Sequence, residues 1–278
     1  MNAPALPRSK AILYLIIAAL LWSSSGIVIK LVPWQPLAIV SARSIFSSLV
    51  FLLYLRRFPR RISAWQATAA ASYILTQILY VSSLRLTAAA NSIFLQYTAP
   101  LYIVALGYWL LREKPSAADW LALPVIFAGL GLFLGDSLNA GSGWGNFLAA
   151  LSGSALALMT VALRAQKDAS PAESFLLANL FTALFGFVFV VQQPWSWANW
   201  LGIAYLGTFQ VGLAFLLYAI AIKTIPALEA TLIGTLEPIL NPVWVFLFLG
   251  ERPGPLALAG AGLVFLGVVI STVKAARD

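Results

Sequence analysis

Along the 278 residues, long apolar runs alternate with short clusters of proline, glycine and charge. The runs fall at about 11–31, 36–55, 64–84, 88–111, 117–135, 144–164, 171–191, 198–222, 228–249 and 255–273. Each is close to the roughly 20 residues that a helix needs to cross about 30 Å of hydrocarbon. A membrane-spanning barrel would show shorter segments alternating with period two, and the chain does not. The pattern predicts an all-α polytopic membrane protein of ten transmembrane helices, with connections too short to hold a soluble domain. The first run follows a short basic leader, Arg8 and Lys10. It is too long for a signal peptide and lacks a small-residue cleavage site, so it reads as an uncleaved span.

One run is unusual. From Thr235 to Gly254 the sequence TLEPILNPVWVFLFLGERPG sets a carboxylate, an amide and two prolines inside apolar surroundings. Glu237 lies about nine residues into the span, roughly 14 Å along the axis, where a charge facing lipid is costly. It must face protein or water. Pro238 and Pro242 remove backbone donors, and freed carbonyls at membrane depth are tolerated beside protein or a wet cavity. Gly234, Glu237, Asn241 and Trp244 share one helical face, which reads either as a cavity wall or as a polar packing seam.

The same pattern occurs earlier. At an offset of 138 residues, Pro100 pairs with Pro238, Glu113 with Glu251, Pro115 with Pro253 and Gly129 with Gly267. Leu79 and Tyr80 fall on Leu217 and Tyr218, and Arg85 on Lys223. The chain is thus an internal repeat, with residues 1–138 as the first five-helix unit and 139–278 as the second.

Composition narrows the class. The chain is 61% hydrophobic and 9% charged, more apolar than a soluble domain can be. Cysteine and histidine are absent, which removes disulfides, thiol and imidazole chemistry and the usual zinc or haem ligands. No catalytic residue, cofactor or metal is expected, and without a Gly-Lys pair there is no phosphate-binding loop. The net charge of +8 is placed at segment ends, where bilayer orientation explains it better than a nucleic-acid partner does.

With a cytoplasmic N-terminus, Arg8, Lys10, the Arg56–Arg61 loop, Arg112, Lys114, Arg164, Lys167, Lys223, Lys274 and Arg277 share one side. The other side holds Lys30, Arg85 and Arg252. Both termini are therefore expected in the cytoplasm. Five spans per unit make the two units cross in opposite senses, as in secondary transporters with inverted repeats. Eight tryptophans lie near segment ends as belt residues do; Trp22 and Trp244 sit deeper.

Helical faces suggest the cavity. Tyr73, Thr76, Gln77 and Tyr80 form a polar-aromatic stripe in the third span. In the fourth, Asn91, Thr98 and Tyr102 share one face, with Ser92 and Gln96 beside it; in the eighth, Gln210 and Tyr218 align. Trp22 and the serines after it add to the first. Candidate cavity residues are Trp22, Tyr73, Gln77, Tyr80, Gln96, Tyr102, Gln210, Tyr218, Asn241 and Trp244. Serine and threonine also serve as interhelical glue, and the glycines of the fifth and tenth spans read as packing. Arg43, about seven residues into the second span, is an intramembrane cation. It can hold a substrate carboxylate, pair with Glu237, snorkel or cap carbonyls, and an ion pair is weighed above substrate contact. Arg43 and Glu237 are the candidate gating or proton-coupling residues. Glu229, at the inner end of its span, reads as an interfacial charge.

The Leu-x-Pro and Gly-Glu-Arg pattern near the end of the second unit, echoed in the first by Pro100 and Glu113, Trp22-Ser23-Ser24-Ser25-Gly26, and Arg43 following Pro36 together resemble the EamA-type drug/metabolite transporter superfamily. The likeness spans essentially the whole chain; Arg112-Glu113-Lys114 departs from the pattern in the first unit. The intramembrane aromatics are most like those of YddG-type amino-acid exporters. The resemblance implies a ten-helix basket whose central cavity is lined by the first four helices of each unit, with helices five and ten outside.

Three function classes follow. The first is a secondary transporter exporting neutral or aromatic amino acids, or similar small amphipathic metabolites, across the bacterial inner membrane by alternating access. The second is a carrier of phosphorylated sugars or other anionic metabolites, which would want paired cavity cations where only Arg43 is at hand. The third is an intramembrane lipid-modifying enzyme, for which no nucleophile or deep carboxylate pair is evident. The expected partners are a small-molecule substrate and the lipid bilayer, with the chain as monomer or homodimer.

Overall fold

The computed structural model describes residues 6–59, 61–87, 89–134, 142–249 and 255–274. Among them the architecture is helical throughout: α1 Arg8–Ser23, α2 Ser25–Leu31, α3 Pro36–Leu55, α4 Ala64–Leu86, α5 Ala89–Gln96, α6 Ala99–Leu106, a π-helical turn Gly107–Leu111, and α7 Ala117–Leu134. Then follow α8 Gly143–Arg164, α9 Pro171–Val190, α10 Trp197–Tyr205, a π-helical segment Leu206–Leu213, α11 Ala214–Ala221, α12 Ala227–Gly234, α13 Leu236–Leu249 and α14 Pro255–Lys274. Seven helical stretches among the described residues are long and apolar enough to cross a membrane; the helices around 117–132 and 258–272 are apolar but shorter.

Helix ends follow local chemistry. Ser63 and Gln66 close a reciprocal box at the start of α4, the Ser63 side chain accepting from Gln66 N and the Gln66 side chain from Ser63 N. Ser116 and Asp119 do the same for α7. Pro36 and Pro171 begin α3 and α9, where a missing amide hydrogen costs nothing.

Several of the apolar runs prove to be broken helices. The first divides at Ser24, where Ser23 and Ser24 turn their hydroxyls onto the carbonyls of Leu20 and Leu21. The fourth divides at Tyr97–Thr98 and the ninth at Thr235, each just before a proline.

The main contacts join the two halves of the chain. α3 lies along α9, α7 along α14 and α4 along α8, while α1 lies along α11. An added Cβ at Gly129 would come within 2.7 Å of the Gly260 carbonyl, and one at Gly267 would strike Ile126, so these glycines set the close approach of α7 and α14. Gly131 and Gly262 face open space and play no such part. The core centres on Phe175, stacked on Phe51 at 5.6 Å and met edge-on by Tyr73 at 5.2 Å. Glu251, Pro253, Arg252, Arg60, Arg277 and Gly135, which the sequence singles out, lie outside the described residues, as do the side chains of Asn241, Lys30 and Lys274.

A cavity between broken helices

Three interruptions meet at one place. Pro100 and Pro238 have no amide hydrogen, so the carbonyls of Gln96 and Gly234 lose their helical donors. In both breaks a threonine folds back: Thr98 Oγ1 donates to Leu95 O at 2.7 Å, and Thr235 Oγ1 to Leu232 O at 2.6 Å. The Ser24 break of α1 is tied to the rest, since Trp244 Nε1 donates to Ser23 Oγ at 2.7 Å and Tyr205 to Ser24 Oγ at 2.9 Å.

Between these helices lies a cavity with about 610 Å³ of empty space, part of it open to solvent. Trp22, Phe215 and Tyr218 form an aromatic wall, with Trp22 centred 4.9 Å from Phe215 and 5.6 Å from Tyr218. Thr76, Gln77, Tyr80, Gln96, Tyr97, Thr160, Gln210, Thr231 and Glu237 bring polar groups to the same space. Their hydrogen bonds fix them: Gln77 donates to Tyr73 at 2.9 Å, Gln96 to Ser152 at 2.9 Å, and Tyr218 to Thr160 at 3.1 Å. Of the candidate gating pair, Arg43 is 2% exposed and is not among the residues that line the cavity. Its Nη1 makes a long contact of 3.4 Å with Gln210, and its Nη2 has no hydrogen-bond partner. Glu237 is half-buried, lines the cavity and meets Tyr97 at 2.7 Å.

Of the residues expected from the sequence, Trp22, Gln77, Tyr80, Gln96, Gln210, Tyr218 and Glu237 line this cavity together. Tyr73 instead lies in the aromatic core, between Phe175 and Phe215. Trp244 braces α1 through Ser23. Tyr102 is 41% exposed and away from the cavity, because counting faces from Asn91 through the break at Thr98 assumes a helix that is not continuous. Arg43 and Glu237 do not pair with each other; each has its own partner. Tyr97 and Phe215 went unnoticed in the sequence. Tyr97 carried a signal, since an offset of 138 places it on Thr235, at the matching break.

One end of the molecule is stitched by charge. Arg8 grips Glu229 with two contacts of 3.0 and 2.7 Å. Arg164 reaches Glu113 at 2.7 Å and donates to the carbonyls of Ile222 and Lys223 at 3.0 and 2.7 Å. Glu113 also accepts from the amide of Ala227 at 3.3 Å, so α8, the turn after α6, and the α11–α12 connection meet there.

The model of the EamA-like transporter family matches twice in succession, over residues 9–135 and 143–273. The chain belongs to that family. Among its relatives, the uncharacterized transporter YwfM of Bacillus subtilis is 25% identical over 272 residues, covering 93% of this chain and 92% of YwfM. An uncharacterized transporter of Archaeoglobus fulgidus is 24% identical, covering 92% and 94%. A solved crystal structure with 23% identity superposes with a TM-score of 0.80, over 98% of this chain and 99% of that one; this shows the fold. EamA membership and the apolar helices make this a multi-pass membrane transporter, and its cavity lies where helices from both EamA copies break.

Proposed function

We propose that the protein is a secondary transporter of neutral and aromatic amino acids, or of small amphipathic metabolites like them, working by alternating access. The observation that carries this reading is the cavity itself: an aromatic wall of Trp22, Phe215 and Tyr218 faces three amides and a single carboxylate. The wall suits an apolar side chain. Gln210, backed by Arg43, suits a substrate carboxylate, and Glu237 suits an ammonium group. Discontinuous helices around a central site are what transporters use to present such groups.

In this reading ten helices span the bacterial inner membrane as two inverted five-helix units, with both termini cytoplasmic and net flux outward. The contacts between the halves support a two-fold relation: α4 against α8 has its repeat-exchanged counterpart in α11 against α1, while α3–α9 and α7–α14 each exchange into themselves. The Arg164–Glu113 and Arg8–Glu229 pairs then close the cytoplasmic end. The test is uptake of labelled amino acids into liposomes containing the pure protein. Saturable, nucleotide-independent exchange of aromatic amino acids, weakened at least about tenfold by Trp22→Ala, is the expected result. Transport confined to sugar phosphates, or strictly dependent on ATP, overturns it. Glu237→Gln is expected to abolish accumulation driven by a pH gradient while leaving exchange; unchanged accumulation removes Glu237 as the coupling site.

A further inference from the structure

The hydroxyl of Tyr97 sits 2.8 Å from the carbonyl of Gly234 and 2.7 Å from Oε2 of Glu237. The first contact replaces the donor that Pro238 lacks. A phenol has one hydrogen to give. Shared between two acceptors, that hydrogen makes a weakened bond to each; both contacts are full hydrogen bonds only if a second hydrogen is supplied, and Glu237 is the group placed to supply it. When Glu237 is protonated, its carboxyl donates to the Tyr97 oxygen and Tyr97 donates to Gly234. When Glu237 is ionised it is acceptor-only, so it takes the phenol hydrogen and the Gly234 carbonyl loses its donor. The proton leaves to the cavity.

We propose that Tyr97 is the residue that reads the protonation of Glu237 and passes it to the α12–α13 break. One hydrogen serves two acceptors that lie on either side of Thr235, so the state of the carboxyl decides whether the end of α12 is held to the α5–α6 break or released. The two breaks belong to different EamA copies, and a change at this contact moves one copy against the other. The surroundings leave the exchange undisturbed. Tyr80 of α4 and Tyr218 of α11 are the other titratable side chains lining this cavity. Arg43 of α3 is turned to Gln210, and Glu229 of α12 is held by Arg8 of α1. The remaining charge of α1 is Lys10, near its start; Lys30 lies in the last turn of α2, and α14 carries none between Pro255 and Thr272. The proposal rests on the transport reading only in treating the switch as a coupling device.

The experiment uses the full chain in lipid nanodiscs without substrate. In infrared difference spectra between acid and alkaline pH, the wild type is expected to show a protonated-carboxyl stretch that Glu237→Gln abolishes and Tyr97→Phe shifts to higher frequency. With rates divided by that of an exposed control cysteine, so that the thiol's own ionisation cancels, Ala230→Cys on the cavity wall is expected to label at rates differing by at least about fivefold between the two pH values, the lower end of ordinary coupling between sites. Tyr97→Phe should remove that dependence. Glu237→Gln, whose amide can donate to Tyr97, should hold the acid rate at every pH. Pro238→Ala, which returns a donor to Gly234, should also make the rate independent of pH. Wild-type pH dependence in Tyr97→Phe, or in Glu237→Gln where the tyrosine variant fails to fold, overturns the proposal, as does a carboxyl region of the difference spectrum that Glu237→Gln leaves unchanged. Neither readout uses substrate, so a failure of amino-acid transport in liposomes would overturn the functional reading and leave the switch standing.

Discussion

In the first repeat the carbonyl that Pro100 releases, that of Gln96, is packed against α8, where an added Cβ at Gly153 would stand 2.7 Å from it. In the second repeat the carbonyl that Pro238 releases, that of Gly234, accepts from the Tyr97 hydroxyl at 2.8 Å, and Gly234 lines the cavity, where an added Cβ would meet nothing nearer than Trp22 at 3.9 Å. The same proline break is thus sealed by backbone packing in one copy and left to a side-chain hydroxyl in the other. A packed break is a fixed elbow. A break held by Tyr97, with a carboxylate competing for its one hydrogen, can change state.

The largest expected effect tests that contrast at the backbone. Gly153→Leu drives a side chain between α8 and the end of α5 and is expected to cost about 3 kcal/mol, the upper end for overpacking, seen as lost thermal stability in detergent. Gly234→Ala meets only ordinary contact and should stay within about 0.5 kcal/mol of wild type. Equal losses in the two variants would erase the distinction between sealed and open breaks.

A middle-sized effect concerns how the copies are joined. Arg164→Ala removes the charged partner of Glu113, which keeps the Ala227 amide, and the donor to two carbonyls, with the Arg164 and Glu113 side chains only 11% and 27% exposed. It is expected to lower stability by about 1–3 kcal/mol and to speed labelling of a cysteine at Ala230 from that end of the molecule. Arg57→Ala removes a pair whose arginine is 67% exposed and should change stability by less than about 1 kcal/mol. If the two variants behave alike, the Arg164 cluster is a surface ion pair and not a closure.

The smallest effect is expected at Tyr102, in the first repeat but turned away from the cavity. Tyr102→Phe should leave both melting and transport unchanged within error, whereas Tyr80→Phe, on the cavity wall, should change the apparent affinity for substrate. A transport defect in Tyr102→Phe would place α6 differently from the structure.

Much of this was legible in the residues because the bilayer makes polar groups expensive. Glu237, Gln77, Gln96 and Gln210 stand out in apolar helices, and each proves to line the cavity. The duplication was legible for a similar reason: Pro100 and Pro238 interrupt otherwise uniform runs at one offset. What periodicity missed lies at or after a break. Face counting carried across Thr98 put Tyr102 inside and overlooked Tyr97, one residue before the discontinuity. Phe215 follows the π-helical segment Leu206–Leu213, where the turn widens and the face shifts. Tyr73 shows a different limit, since a polar-aromatic stripe does not say where the cavity ends and the core begins. The separation of Arg43 from Glu237 depends on packing between distant helices, which one sequence does not encode in its local pattern.

The π-helical segment has a mechanical side as well. The stretch Trp197–Ala221 runs for 25 residues against 20 in Pro36–Leu55, and as an uninterrupted α-helix it would reach about 37 Å, beyond the roughly 30 Å of hydrocarbon. Wider turns carry more residues per unit of length, so the surplus is stored as slack within the helix. α3 backs onto that slack at Gly207 and Gly212, where an added Cβ would strike Arg43 O and come within 2.8 Å of Val50. Bilayer thickness therefore bears on the same turn that sets Gln210 beside Arg43, and a thicker membrane pulls on it lengthwise.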